Sequence, residues 1–399
     1  MAGVRLKACF SLLAAAFVWL TGTSATPAVP PANPVLHETG IASPPSPTDA
    51  PIALLVDLSS GQTLFSRDPD RRFVPASITK VMTVFVAFEM IDSGKIDPGQ
   101  TVMMSSDAYK HWHAVGSTMF LKEHQRVTVD QLLHGITTVS ANDGSVVLAE
   151  GLAGSTEKWV AMMNAAARRI GMKDSHYGRP NGWMDDGQTF VTAHDLVTLG
   201  AALILDHPDL YRRYFGHRRL RFNGFEQVNH DPITGVVPGA DGIKTGFTNQ
   251  AGYGFLGSAE RDGRRLIMVV AGSPTGRARN EAARSLIEWG FEAFGSQPLF
   301  AKGSVVGEAA VQDGDSRHVA LVAPQAISAA MPQGTRPDIK LSIRYEGPLR
   351  APIRAGEPVA ELVIEAAGMP TSRVPLTARD DVAQANLLDR LTNGIAGIL

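Results

Sequence analysis

The sequence predicts an α+β domain followed by a small all-β domain. Two strand-like runs, Ile52–Asp57 and Gln62–Ser66, precede several helical patterns, and the runs Tyr253–Ser258 and Leu266–Ala271 follow them. Because strands at the two ends enclose a series of helices, we expect one antiparallel sheet that joins both ends, with helices packed on it. After about residue 297, short β-branched runs alternate with Gly and Pro turns, which indicates the second domain.

The helix over Ser77–Gly94 carries almost no polar face, so we expect it to be buried at the centre of the first domain. Further helices are predicted at Val129–Thr137, Ser155–Ile170, Thr192–Leu205 and Ala278–Trp289. Thr192 and Asp195 resemble a capping box with Asp in place of Glu. Gly290 is predicted to end the last of these helices.

The second domain contains five strand-like runs and is followed by a helical tail. The runs are Ser304–Val311, His318–Val322, Ile339–Tyr345, Pro358–Ile364 and Arg373–Leu376. Within Ala383–Leu399 the apolar residues fall on one stripe at helical spacing, so the tail is predicted to be amphipathic. The predicted organisation is a signal peptide (1–25), a Pro-rich linker (26–51), the α+β domain (52–297), the all-β domain (298–379) and the C-terminal helix (380–399).

Composition limits the function. A chain of 399 residues is long enough for two domains with a large core, and 44% hydrophobic with 19% charged residues is typical of globular proteins. The net charge of -2 and the lack of a long basic run give no reason to expect a nucleic-acid partner.

The N-terminus has the pattern of a secretory signal peptide. Arg5 and Lys7 precede the apolar stretch Ala8–Leu20, and Thr23-Ser24-Ala25 is a plausible cleavage site. The alternative is an uncleaved anchor, which the shortness of the stretch disfavours. The only cysteine, Cys9, lies inside this stretch, so the mature chain would have neither disulfides nor cysteine metal sites.

Three short motifs occur in a fixed order: Ser77-Ile78-Thr79-Lys80, Ser140-Ala141-Asn142 and Lys244-Thr245-Gly246. Each is weak alone, but together they predict a serine acyl-transferase. Residues three apart share a helix face, so the Lys80 amine can meet the Ser77 hydroxyl and take its proton once burial lowers the lysine pKa. The alternative is a surface helix with a capping serine, but an ordinary buried lysine would be costly.

The other two motifs predict the remainder of a cleft. Ser140 and Asn142, two residues apart on a loop, can relay a proton and hold a peptide amide. Lys244-Thr245-Gly246 is predicted as an edge strand that lines the cleft, where Gly246 allows close backbone approach. Alone, the first of these motifs would indicate a turn and the second an exposed strand.

Two further features were weighed. His111-Trp112-His113 could suggest a metal site, but no carboxylate or third histidine accompanies them, so stacked loop histidines are favoured. Arg277 and Arg279 precede the last helix of the first domain, either as solvated charge or as a clamp for a carboxylate.

The motifs and their surroundings resemble the D-alanyl-D-alanine carboxypeptidases of peptidase family S11, which are low-molecular-mass penicillin-binding proteins. The likeness runs from about residue 51 to residue 295. It includes Val74-Pro75-Ala76-Ser77, Ser140-Ala141-Asn142-Asp143, Asn181-Gly182, Thr192-Ala193, Asp241-Gly242-Ile243-Lys244-Thr245-Gly246, Ala251-Gly252-Tyr253 and Trp289-Gly290-Phe291. The sequence departs from the family at Ala141, where glycine is common, and at Gly144, where alanine is common.

The resemblance implies a penicillin-binding-protein or β-lactamase-like transpeptidase fold and a role for each site residue. Ser77 would be the acylated nucleophile and Lys80 its base, while Ser140 and Lys244 would pass the proton to the leaving D-alanine. Asn142 would hold the peptide. The N–H groups of Ser77 and Phe247 would form the oxyanion hole, and Thr245 and Arg279 would bind the terminal carboxylate beside Gly246.

The implied activity is removal of the terminal D-alanine from peptidoglycan pentapeptide stems, with β-lactams as covalent inhibitors and no metal or organic cofactor. The protein would be periplasmic and attached to the outer face of the inner membrane by the tail helix. The alternatives are a β-lactamase, for which Glu157 is the only acidic residue in a plausible interval, a D,D-endopeptidase, and a non-catalytic cell-wall scaffold. The preferred stem peptide, the deacylation rate, the partner of the β domain and the oligomeric state stay open.

Overall fold

The computed structural model describes residues 43–336 and 338–385. An α+β domain is followed by a β-rich one, as the sequence predicts. The first contains β1 (Ile52–Asp57), β2 (Gln62–Arg67), a 3-10 turn (Ala76–Thr79), α1 (Lys80–Asp92), β3 (Thr101–Met103), α2 (Ser106–Trp112), β4 (Arg126–Thr128), α3 (Val129–Val139), α4 (Asn142–Ala153), α5 (Thr156–Arg169), α6 (Ala193–Asp206), α7 (Pro208–Tyr214), β5 (Arg219–Phe222), β6 (Phe225–Val228), β7 (Ala240–Thr248), β8 (Gly252–Arg261), β9 (Arg264–Ser273) and α8 (Gly276–Ala293).

The first domain is built on a five-stranded antiparallel sheet in the order β2-β1-β9-β8-β7. It joins both ends of the domain, which confirms the predicted arrangement. The hairpin between β8 and β9 turns at Asp262 and Gly263, and both have positive φ, 50° and 76°. Two consecutive residues of this conformation form the turn that matches the twist of a two-residue hairpin. Strand β7 is an edge strand, also as predicted.

Helices cover both faces of this sheet. Leu54 of β1 belongs to the core that includes α1, α3, α4 and α6, whereas its neighbour Leu55 belongs to the core beneath α8. Successive side chains of a strand point to opposite faces, so a strand covered on both faces is apolar throughout. All six residues of β1 are buried, which explains the continuous apolar run in its first five residues.

The predicted central helix begins with the 3-10 turn and continues as α1. Lys80 to Phe88 are buried without interruption, which confirms the prediction from its missing polar face. The helix ends at Asp92, and Gly94 lies just beyond it with φ 69°. Positive φ suits glycine because it has no side chain to clash with the backbone.

Two helix-end predictions were wrong. Gly290 does not end α8, which continues to Ala293; a Cβ at position 290 would lie 2.5 Å from Leu55 Cδ2, so this glycine lets the helix approach the sheet. At α6 the Thr192 hydroxyl accepts the Asp195 N–H, but the Asp195 carboxylate instead accepts the N–H of Asp174 and a serine hydroxyl. The reciprocal half of the predicted capping box is therefore replaced by a tertiary contact.

Within the described residues, three helices were not predicted: α2, α4 and α7. The second motif accordingly does not lie on an open loop. Ser140 ends α3 with φ 62°, and Asn142 is already the first residue of α4. His111 and Trp112 lie on α2 rather than on a loop.

The β-rich part contains β10 (Phe294–Phe300), β11 (Val305–Gln312), β12 (His318–Val322), β13 (Ile327–Pro332), β14 (Ile339–Arg344), β15 (Leu349–Arg350), β16 (Pro358–Ala366) and β17 (Ser372–Ala378). A six-stranded sheet has the order β14-β16-β17-β12-β11-β15, and β10 pairs separately with β13. All five predicted strands are present. The pair β10–β13 was not predicted, because Gly and Pro interrupt the pattern of the first strand and the second contains alanines, which have a low β-propensity.

The β10–β13 region contacts the turn between β1 and β2. The Ala330 N–H donates to Gln62 Oε1 at 2.6 Å, and the Ser328 N–H donates to the Ser59 carbonyl at 2.9 Å. The Ser372 hydroxyl donates to the Ser60 carbonyl at 2.8 Å. Two backbone carbonyls and one side-chain amide of the first hairpin are thus bound by the β-rich part of the chain.

The predicted terminal segments lie mostly outside the described residues. The signal peptide, most of the linker and residues 386–399 of the tail belong to this group. Residues 380–385 are described and are not helical, so the predicted start of the tail helix was wrong. Gln384 forms a β-bridge with Gly314, and the Ala385 N–H donates to the Asp313 carbonyl. None of the helices within 43–336 and 338–385 combines the length and apolarity needed to cross a bilayer.

Candidate active site

Ser77 lies on the 3-10 turn that precedes α1, and two glycines from separate segments press against this turn. A Cβ on Gly182 would lie 2.0 Å from the Ala76 carbonyl oxygen, and a Cβ on Gly246 would lie 2.4 Å from that of Pro75. No side chain other than hydrogen fits at such distances. The third motif therefore lies against the first, and the predicted close approach at Gly246 is present.

Lys80 begins α1 with its side chain fully buried. Its amine, Nζ, lies 2.9 Å from Ser77 Oγ, 2.7 Å from Asn142 Oδ1 and 2.6 Å from the Asn181 carbonyl oxygen. Three oxygens thus fix the direction of the amine, and one of them belongs to the predicted nucleophile. The predicted contact between the first motif's serine and lysine is present.

The environment of Lys80 disfavours its charged form. Burial lowers the pKa of Lys80 well below its usual range, the charge of Lys244 lowers it further, and Asp143 opposes both effects. A neutral amine can accept a proton, whereas an ammonium group only donates. The site therefore provides a base beside a hydroxyl.

The second motif lies at the junction of α3 and α4. Ser140 Oγ is buried and has no hydrogen-bond partner within the described part of the chain. Asn142 accepts from Lys80 and donates to the Val115 carbonyl at 2.9 Å, so its amide positions the lysine. Asp143 accepts the N–H groups of Met119 and Gly144, at 3.0 and 2.8 Å, and holds the junction in place.

The two departures from the family motif compensate each other. A Cβ at Gly144 would lie 3.1 Å from the Cβ of Ala141. A methyl group at one position thus leaves little room for a methyl at the other. Relative to the family motif, alanine and glycine have exchanged places in this sequence. One methyl group therefore still fills the space, and overpacking is avoided.

Lys244 lies on β7 and is buried, with Nζ 3.0 Å from the Thr245 carbonyl oxygen. Burial lowers its pKa to about 7, the nearby Arg279 charge contributes to this, and Asp231 opposes it. Lys244 is close enough to Lys80 to influence its pKa. A lysine that titrates near neutral pH can both carry charge and transfer a proton.

The three motifs meet at a cleft of about 740 Å³. Of the predicted site residues, Ser77, Ser140, Asn142, Thr245, Gly246, Phe247 and Arg279 line it. Lys80 and Lys244 are buried behind this wall. Arg279 is buried and donates through Nη1 to the Gly254 carbonyl at 3.1 Å and through Nε to Asn280 Oδ1 at 2.7 Å. Arg277 instead forms an exposed pair with Glu281, so of these two arginines Arg279 is the one that reaches the cleft.

Comparison with known proteins agrees with this geometry. The model of the S11 D-alanyl-D-alanine carboxypeptidases matches residues 39–275, and that of the penicillin-binding protein 5 C-terminal domain matches residues 294–384. The chain belongs to the S11 D-alanyl-D-alanine carboxypeptidase family. The first match confirms the resemblance inferred from the motifs. The second match covers the predicted all-β domain.

Relatives of this S11 chain match over most of their length. D-alanyl-D-alanine carboxypeptidase DacD of Salmonella typhimurium is 33% identical over 368 residues, which cover 90% of this chain and 94% of the relative. Among solved structures, penicillin-binding protein 5 of Haemophilus influenzae is 31% identical with a TM-score of 0.71, covering 86% of this chain and 99% of its own. Penicillin-binding protein D2 of Listeria monocytogenes, solved in its ampicillin-bound form, is 27% identical with a TM-score of 0.55, covering 63% and 100%.

Several residues at the cleft that contains Ser77 were not predicted from the sequence. The Asn181 carbonyl binds Lys80, and Trp183, His230 and Asp231 line the cleft. Asn181 was noted only as part of the family likeness, and a backbone carbonyl leaves no signal in side-chain identity. His230 is placed by tertiary structure alone; burial together with the charges of Lys244 and Arg279 lowers its pKa.

The histidines of the His111-Trp112-His113 run and Glu157 do not line the cleft. The His113 ring stacks on Tyr109 with centroids 4.4 Å apart, which agrees with the favoured reading of stacked histidines. Among residues 43–336 and 338–385, no group of three or more His, Cys, Asp or Glu is arranged to hold a metal ion. Glu157, the residue considered for a β-lactamase, does not line the cleft but a separate cavity of about 340 Å³.

Burial lowers the pKa of Lys244 most, and the added effect of the Arg279 charge on this pKa can be tested directly. We expect the ¹³Cε resonance of Lys244 to titrate near pH 7 and, in Arg279→Met, at a higher pH because a neighbouring positive charge is lost. Arg279→Lys keeps the charge and should titrate near the wild-type midpoint. The resonance is assigned by its absence in Lys244→Arg. Equal midpoints in Arg279→Met and Arg279→Lys would show that burial alone sets the pKa.

Proposed function

We propose that this carboxypeptidase removes the terminal D-alanine from pentapeptide stems of peptidoglycan through an acyl-enzyme on Ser77. The observation that carries the proposal is the buried Lys80 amine, 2.9 Å from the Ser77 hydroxyl and with a pKa well below its usual range. A serine hydroxyl becomes an effective nucleophile only when a base accepts its proton. Lys80 supplies that base without a metal or an organic cofactor.

In the first step, Ser77 Oγ attacks the carbonyl carbon of the penultimate D-alanine while its proton moves to neutral Lys80. The carbonyl oxygen takes up the negative charge and is stabilised by the N–H groups of Ser77 and Phe247. The C–N bond then breaks, and the proton that Lys80 accepted passes through Ser140 and Lys244 to the leaving nitrogen of the terminal D-alanine, so that Lys80 is neutral again. The buried Ser140 hydroxyl is free to form that relay.

In the second step, water attacks the ester carbon and gives up a proton to Lys80. The C–O bond to Ser77 breaks, and the Ser77 oxygen takes back the proton from Lys80. The products are the shortened stem and the original enzyme. Asn142 orients Lys80 during both steps through its 2.7 Å contact and presents the same amide to the peptide at the cleft wall.

The substrate end is recognised by its carboxylate. Arg279 and Thr245 line the cleft and bind this group, with the Lys244 charge behind them.

The alternative functions differ in their substrates. Glu157, the acidic residue considered for a β-lactamase, lies outside this cleft, which favours hydrolysis of a stem pentapeptide over hydrolysis of a β-lactam. Release of D-alanine from diacetyl-Lys-D-Ala-D-Ala without cleavage of cross-linked muropeptides would separate a carboxypeptidase from a D,D-endopeptidase, and no release at all would favour a scaffold.

Acylation at Ser77 is tested with a labelled penicillin. We expect covalent labelling of the wild-type protein and none of Ser77→Ala. Lys80→Ala should be labelled more slowly by about 10²–10⁴-fold, the usual contribution of a positioned base. Lys158→Ala, which removes a lysine from the start of α5, serves as the control and should label at the wild-type rate. Normal labelling of Ser77→Ala would refute the assignment.

Recognition of the terminal carboxylate by Arg279 gives a second expectation. A charge-assisted hydrogen bond contributes about 1.5–3 kcal/mol. Arg279→Ala should therefore lower kcat/KM for peptides with a free terminal carboxylate more than for the matching amides. Arg277→Ala is the control, because that side chain is paired with Glu281 at the surface. Equal losses on acid and amide would show that Arg279 only supports the fold.

We further propose that the protein is exported and held at the outer face of the inner membrane by its tail. Leu387, Leu388, Leu391, Ile395 and Ile398 form the apolar stripe of the sequence, and only Arg390 offers attraction to anionic lipid. Each fully buried Leu or Ile contributes about 1.5–3 kcal/mol before ordering costs. Binding should therefore depend on apolar burial and resist salt.

Fractionation in high salt tests this attachment. Full-length protein should remain with the membrane, whereas a chain ending at Ala385 should be released. Ending the chain there retains the bridge between Gln384 and Gly314, so the β-rich part is left intact. Full-length protein with Leu388→Asp and Leu391→Asp should behave like the truncated chain. Equal release of all forms would show that the tail is not an anchor.

A further inference from the structure

Two large apolar side chains stand exposed at the mouth of the cleft. The exposed fraction is 53% for Met184 and 47% for Phe247, and both residues line the cleft that contains Ser77. Single exposed apolar residues are common on protein surfaces and need no explanation. Two of them facing one cleft, accompanied by Trp183 and Tyr253, form an apolar rim of the kind that marks a binding site.

The chain geometry places both residues beside the nucleophile. Gly182 and Gly246 press against the turn that carries Ser77, as the short distances to the Ala76 and Pro75 carbonyls require. Met184 follows the first of these glycines by two residues, and Phe247 follows the second directly. Both apolar residues therefore lie within two residues of a glycine that contacts the turn carrying Ser77.

The Phe247 ring and the segment that carries Met184 are held by their surroundings. The Phe247 ring stacks on Tyr253 with centroids 4.1 Å apart and an interplanar angle of 25°. The residues that flank Met184 are fixed by hydrogen bonds, because the Trp183 N–H donates to Asn181 Oδ1 and the Asp185 carboxylate accepts from Thr189. A preformed apolar surface binds more tightly than one that must be ordered on binding.

The strand direction indicates which part of a substrate meets this surface. Thr245 belongs to the proposed carboxylate site, and Phe247 lies two residues further along the same edge strand, on the same face and about 6–7 Å away. The terminal carboxylate lies on one side of the bond that is cleaved. With the carboxylate at Thr245, the acyl donor would extend from the cleaved bond in the opposite direction, toward Phe247.

We propose that Phe247 and Met184 form an apolar clamp for the side chain of the acyl donor. The clamp selects donors that extend a long aliphatic or aromatic group from the amino-terminal side of the attacked carbonyl over donors that lack one. The role of the clamp rests on the proposed acylation of Ser77. Phe247 would then serve twice, with its N–H toward the oxyanion and its ring toward the donor side chain.

A pair of β-lactams tests the clamp. Benzylpenicillin carries a phenylacetyl side chain, and 6-aminopenicillanic acid has the same ring system without it. The ratio of their acylation rate constants should fall about tenfold in Phe247→Ala and in Met184→Ala, near the lower end of the discrimination that an apolar pocket provides. Met103→Ala is the matched control, because this methionine is 48% exposed on β3 and does not line the cleft. Its ratio should equal that of the wild type.

The outcomes separate the clamp from the proposed function. Failure of both compounds to acylate the wild-type protein would refute the acylation of Ser77. Acylation of the wild type with an unchanged ratio in both clamp variants, including an equal loss on both compounds, would overturn the clamp. Peptides provide an independent measurement: the preference of kcat/KM for diacetyl-Lys-D-Ala-D-Ala over acetyl-Gly-D-Ala-D-Ala should narrow in the same two variants, and Phe247→Leu should retain most of it.

Discussion

The burial of one amine is the constraint on which the rest of the site depends. Removing a lysine amine from water disfavours its charged form, so the protein must satisfy the amine with hydrogen bonds while withholding a nearby counter-charge. Lys80 meets both conditions, because its three neighbours are a hydroxyl, an amide oxygen and a backbone carbonyl. The carboxylate that raises the pKa of Lys80, Asp143, accepts hydrogen bonds from backbone N–H groups. A direct ion pair with Lys80 would have kept the amine charged and unable to act as a base.

This arrangement requires parts of the chain that lie far apart in sequence. Lys80 comes from α1, Asn142 from the start of α4, and the third oxygen from Asn181 in a loop. The second lysine, Lys244, arrives on an edge strand. Each segment is anchored by its own interactions, such as the hydrogen bonds that Asp143 accepts at the α3–α4 junction. The geometry around Lys80 is therefore a property of the whole α+β core, and substitutions distant from the cleft can disturb it through this framework.

The sequence predicted the sheet and the motifs well because both leave strong local signals. The continuous apolar run of β1 and the missing polar face of α1 are readable directly, and both elements are buried as predicted. Gly290 was wrongly predicted to end α8 because glycine has a low helix propensity. In the structure it instead allows the helix to pack closely on Leu55. Helix α4 was missed because its first residues were assigned to the motif loop. The contacts of Lys80 with the Asn181 carbonyl, and of His230 with the cleft, depend on tertiary structure that no local pattern encodes.

The pairing of β1 with β9 has a consequence for the time at which the domain can fold. Leu54 is opposite Val269 in the sheet, so β1, which pairs on its other side with β2, lacks its second partner until about 200 further residues have been synthesised. Contacts this distant in sequence delay folding, and the central sheet cannot close while the C-terminal half is still emerging. The long-range strand pairing therefore delays assembly of the cleft around Ser77 until the whole domain has been synthesised.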